Sequence, residues 1–188
     1  PRLRGDAWNG LATGWVHSDR GTEGLGAMLA GLRPVRMRDE AAGLALRELV
    51  RAGGADAALV WADTILRDDD QEASFKRSVF ESAVRWAAGW DPERTGAWAT
   101  PYVEADFAED GILLAAELWG AADGESAMAW LGEQPAGERR DKAVRRAFLE
   151  WSKADRAGAK DWLASISPTA FHDPALEVKA KRLAPYEP

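Results

Sequence analysis

Any chemistry in this chain has to come from a small set of side chains. Its 188 residues hold two histidines, His17 and His172, near opposite ends, and no cysteine. Thiolate catalysis, disulfides, iron–sulfur clusters and thiolate zinc sites are therefore excluded, and so is a His-rich metal centre. Each histidine has a plain structural use. His17 stands two residues before Asp19 at a helix end, and His172-Asp173-Pro174 reads as the turn before a last helix with Asp173 as N-cap. Neither a Gly-x-Ser-x-Gly elbow nor a phosphate loop ending in Gly-Lys-Ser/Thr is present. The glycines of residues 21–26 and of Gly53-Gly54 follow no strand, so they read as turns between helices. Paired carboxylates remain. Asp68, Asp69, Asp70 and Glu72, or Glu104, Asp106, Glu109 and Asp110, could do hydrolytic work if a buried cleft raised one pKa. Both clusters fall at inter-helix turns without calcium-loop spacing, which makes them solvated acidic loops. No catalytic, cofactor-binding or metal-ligating residue is assigned, and the expectation leans away from an enzyme.

Binding chemistry has more to work with. Residues 138–146 read ERRDKAVRR, and Arg139, Lys142 and Arg146 share a helical face at spacings of three and four. Such a basic stripe can dock an acidic peptide or a phosphate-bearing partner, and Arg77 and Arg85 would add to the same groove if the helices stack regularly. Its plainer use is a solvated face with Glu138 and Glu150 as counter-ions. Ten tryptophans offer a second possibility, a cleft for a small molecule or a glycan. The overall balance, 24 Lys+Arg against 31 Asp+Glu for a formal charge of −7, repels nucleic acid and anionic lipid. No apolar run approaches the ~18–20 residues of a membrane span. Residues 112–119 are too few and include Glu117. Composition assigns no compartment, and Pro1 in place of Met suggests a trimmed start.

The elements that must position these groups announce themselves as a repeat. WAAGWDPERTGAWA from Trp86, WGAADGESAMAWL from Trp119 and WSKADRAGAKDWL from Trp151 each carry a Trp, an Asp four or five residues later, and a second Trp seven beyond that. The first tryptophans are 33 and 32 residues apart, the second ones (Trp98, Trp130, Trp162) 32 and 32. Weaker copies surround Trp15 with Asp19, and Leu49 and Val50 with Gly54 and Trp61. Eight of the ten tryptophans fit this register, which predicts core packing for them and leaves Trp8 and Trp90 outside it. Trp90 still continues the helical stripe of Phe75, Val79, Ala83, Trp86 and Ala87, so Trp8 is the one expected to be exposed.

Each unit reads as a helical hairpin whose second helix starts at the repeated Asp. Asp91-Pro92-Glu93 combines an N-cap, a proline suited to the first helical position and an acid at the positive dipole end. Ala97, Ala127, Ala129 and Ala159 beside the second tryptophans are expected to let helices approach closely. Alternating strand patterns are absent. The expected fold is all-α, a single domain over 1–188 of about five antiparallel helix-hairpin repeats stacked as an α–α superhelix or solenoid, with no sheet. The units are 8–33, 39–68, 73–100, 105–134 and 138–167, followed by a C-terminal cap over 168–188.

This layout resembles the tetratricopeptide-like family of helical-hairpin repeats. Trp86, Trp119 and Trp151 lack that family's Leu-Gly-Tyr continuation, whereas Pro101, Pro135 and Pro168 do follow the second helices. The resemblance implies a stack whose concave face of first helices binds peptides or proteins. The function expected is thus a non-catalytic protein- or peptide-binding scaffold without cofactor. Arg77, Arg85, Arg139, Lys142 and Arg146 are its candidate contacts; the alternatives are a Trp-lined ligand binder or a carboxylate hydrolase.

Overall fold

The computed structural model describes residues 24–30, 32 and 35–165, with Gly10, Thr13 and Gly14. Most of the expected first unit, including Trp8, Trp15, His17 and Asp19, and the expected cap at 168–188 with His172 and Asp173, lie outside the described residues. Within them every regular element is a helix: α1 (Leu25–Ala30), α2 (Val35–Leu66), α3 (Ala73–Ala87), α4 (Pro92–Ala99), a 3₁₀ turn (Thr100–Tyr102), α5 (Glu109–Ala122), α6 (Gly124–Gly132), α7 (Glu138–Ala154) and α8 (Arg156–Ser165). No described helix is long and apolar enough to cross a membrane.

Local chemistry accounts for the boundaries. Asp91 and Asp123 are extended N-caps whose carboxylates accept the Arg94 and Ser126 N–H groups at 2.9 and 3.1 Å. Asp155 accepts the Gly158 N–H at 3.0 Å in the same way. Because the Ser126 hydroxyl and N–H both bond the charged form, the Asp123 carboxyl sits below its ordinary range. In α2 the corresponding place holds Gly54 at φ 74° and ψ −172°, left-handed backbone in which a side chain would be strained. It divides α2 into arms over 35–53 and 55–66 without a loop.

The helices pack in two rows. α3 lies against α2 and α5, and α5 against α7; α4 packs on α6, and α6 on α8, with successive helices joining the rows. Glycines permit the closest approaches. A β-carbon on Gly96 would overlap the Trp119 indole, one on Gly124 the Trp151 indole, one on Gly111 the Phe80 ring, and one on Gly120 the Ala147 backbone. The expected role of the alanines holds for Ala127 and Ala159, which are fully buried, but not for Ala97 and Ala129, which are exposed.

The tryptophans divide likewise. Trp61, Trp119, Trp130 and Trp151 are buried, and Trp98 and Trp162 are half-buried against the core. Trp86 departs from the expected core position at 38% exposure, and Trp90 from its expected stripe at 67%. α3 ends at Ala87, so the chain has left the helix before Trp90, and among the described residues no glycine receives Trp86 as Gly96 receives Trp119. Instead the Arg47 guanidinium lies 5.9 Å from the Trp86 ring centroid.

Asp63 ties the second arm of α2 to α4 and the 3₁₀ turn after it. Its Oδ1 accepts the Trp98 indole N–H at 2.8 Å and the Tyr102 hydroxyl at 2.7 Å, and its Oδ2 accepts Arg67 at 2.9 Å. Phe80 stacks on Trp98 at 5.1 Å, and Tyr102 and Phe107 meet Phe80 edge-on at 5.7 and 6.0 Å. Desolvation, and then the bond to Asp63, push the Tyr102 hydroxyl up to about 12.

Two outcomes are expected. Gly124→Ala should cost about 1–3 kcal/mol in urea unfolding, whereas Gly89→Ala, whose added carbon meets nothing closer than 3.8 Å, should stay within about 0.5 kcal/mol. The raised Tyr102 value means that its stabilising effect is complete below the unfolded tyrosine pKa near ~10 and lost as pH rises through about 12. Tyr102→Phe should therefore remove the phenolate absorbance step near pH 12 and flatten that part of the stability profile.

Candidate partner-binding face

The open side of the α3, α5 and α7 row carries the basic residues singled out by spacing, in two groups. Arg77 and Arg85 are exposed on α3, and Arg139, Lys142 and Arg146 stand on α7, with α5 between them. The structure therefore does not bring all five into one groove. On α3 the two arginines flank Glu81, which faces Asp110 of α5. Burial first, and then Asp110, raise the Glu81 carboxyl while Arg85 and Arg77 oppose the shift.

The α7 stripe faces α5 and is engaged there. Arg139 bonds Asp106 at 2.8 Å and reaches the Val103 and Ala105 carbonyls at 3.5 and 3.3 Å. Lys142 bridges Glu109 at 3.1 Å and Glu138 at 3.3 Å, and Arg146 lies 3.6 Å from Glu117. Hydrogen bonds to Asp106 and to Glu109, respectively, are the main causes that raise the Arg139 and Lys142 values. The counter-ions are thus mostly acids of the preceding helix and its leading turn. Of the two expected from spacing, Glu138 joins the set through Lys142, while Glu150 pairs with Lys153. Being open to solvent, each pair is screened by water and salt, and the ladder orients α7 more than it stabilises it.

Beside this ladder opens a groove of about 440 Å³ lined by Leu113, Lys142, Arg145, Arg146 and Leu149. Leu113 and Leu149 are half-buried, and Leu114 and Leu118 stand near Leu113 on α5. Arg145 makes no ion pair with any described residue, unlike Lys142 and Arg146. Sequence reasoning missed Leu113, Leu149 and Arg145. The signal was there: α5 holds more leucine than its buried stripe of Ile112, Ala115, Ala116 and Trp119 uses, and Arg145 shares the arc of Lys142 and Leu149.

A second groove, about 780 Å³, runs between the hairpin turns, where Trp151 and Trp162 meet Asp123, Glu125, Asp155 and Asp161. Two of those carboxylates are the helix caps described above. Among the described residues no group of three His, Asp or Glu side chains could hold a metal ion. The acidic clusters lie where expected: Asp68, Asp69 and Asp70 are in the α2–α3 turn, and Glu109 and Asp110 begin α5. Comparison with protein-family models, curated proteins and solved structures finds no match to this chain. What defines the class is therefore the architecture itself, all-helical, with an open helical face carrying leucines and cations.

The half-exposed ladder leads to a measurable expectation. A double-mutant cycle of Lys142→Ala with Glu109→Ala should give a small favourable coupling that shrinks further in 1 M salt.

Proposed function

We propose that this chain is a non-catalytic scaffold that binds a protein or peptide, built of stacked helical hairpins and similar in layout to tetratricopeptide-like repeats. The hairpin units 39–68, 73–100, 105–134 and 138–167 belong to this reading. One observation carries it: an open groove on the α5–α7 face is lined by Leu113 and Leu149 together with the cations Lys142, Arg145 and Arg146 of α7. A groove of that make-up gains free energy by covering its leucines, while the flanking charges fix the register of what covers them. The catalytic rival has little to rest on, because Glu81 and Asp110 face each other outside both grooves. The Trp151–Trp162 groove favours a second reading, an aromatic or cationic small ligand, which would quench indole emission on binding.

A random peptide library selected on the intact chain tests the main reading. Retained peptides should lose about tenfold or more in affinity, the equivalent of ~1.4 kcal/mol, when Leu149 is replaced by Glu in a variant of unchanged helicity. No retained peptide, or equal binding to both proteins, would overturn it.

A further inference from the structure

Resting on that reading, we infer that the α5–α7 groove selects an acidic peptide segment, with one carboxylate held by Arg145 and an aliphatic side chain seated between Leu113 and Leu149. The argument is one of charge complementarity. Three cations line the groove, but two already face acids: Lys142 has Glu109 and Glu138, and Arg146 has Glu117. Arg145 is left as a half-buried residue lining the groove beside Leu113 and Leu149, with no carboxylate of its own among the described residues. A carboxylate brought to it gains charge-assisted hydrogen bonds in the fork geometry that a guanidinium offers, next to an apolar surface.

The surroundings limit how much negative charge the ligand can carry. Glu117 stands 3.6 Å from Arg146 of the groove lining, Glu81 and Asp110 face each other between α3 and α5, and the whole chain is at −7. A polyanion such as nucleic acid or an anionic bilayer would meet those carboxylates along with the arginine. A peptide carrying one or two acids would not. Spacing narrows it further. Arg145 and Leu149 are four residues apart on α7, about 6 Å along its axis at ~1.5 Å per residue. Two residues of extended chain span about 6.6 Å. The expected pattern is an Asp or Glu two positions from a Leu, Ile or Val in an extended segment.

Peptides selected on the intact chain, measured by calorimetry against wild type, Arg145→Gln, Arg145→Lys and Leu149→Glu, decide the matter. The expected result has four parts: enrichment of that acid–aliphatic pattern, about tenfold weaker binding to Arg145→Gln, partial recovery with Arg145→Lys, and little effect of Arg145→Gln on peptides whose acid is changed to its amide. Selected peptides without acids, or an affinity unmoved by Arg145→Gln while Leu149→Glu abolishes binding, would overturn this inference and leave the groove reading intact. Failure of the wild type to retain any peptide, or indifference to Leu149→Glu, would overturn both.

Discussion

An indole packed into a core brings one donor that needs an acceptor, and for Trp98 and Trp130 the acceptor lies some thirty residues earlier in the chain. Trp98 donates to Asp63 and Trp130 to the Thr100 hydroxyl at 3.0 Å, so each ring fills its own apolar layer while its N–H holds the previous one. Asp63 is the most heavily used of these acceptors. It is half-buried, and taking donors from Trp98, Tyr102 and Arg67 keeps its charge satisfied where water is scarce. Through Trp98 and Tyr102 that carboxylate is joined to the aromatic cluster they form with Phe80 and Phe107.

Local chemistry was legible in the residues, and long-range geometry less so. Asp91, Asp123 and Asp155 read as caps because capping needs only a short acceptor followed by free N–H groups, all within four residues. All-helical structure followed from the same stripes and stops. The close approaches at Gly96, Gly111, Gly120 and Gly124 were not read, since a glycine in a helix shows nothing of what lies across from it. Trp90 was misplaced for a simpler reason: a stripe extrapolated past Ala87 assumes helix where the chain turns.

The basic stripe on α7 shows how a partner can be hidden in plain spacing. Asp106 and Glu109 each stand 33 residues before their cations, close to the spacing of the tryptophans. Looking one period upstream would have found these counter-ions. What remains after the ladder is formed is the smaller set that matters for binding, one guanidinium and a few leucines. Residues that look most reactive in a sequence are often the ones a fold has already matched.

The bonds joining one helix pair to another share a further property. Those between Arg38 and Glu72, Asp56 and Arg94, Asp63 and Trp98, Asp63 and Tyr102, Thr100 and Trp130, and Glu109 and Lys142 close loops of 30 to 39 residues. Loop-closure entropy grows only with the logarithm of length, so each addition faces nearly the same entropic cost. None of these six ties needs the two ends of the described helices to meet, so each helix pair is fixed by a neighbour near in sequence. During synthesis, each layer has its tie within reach once some forty further residues have emerged, long before the far end of the protein exists.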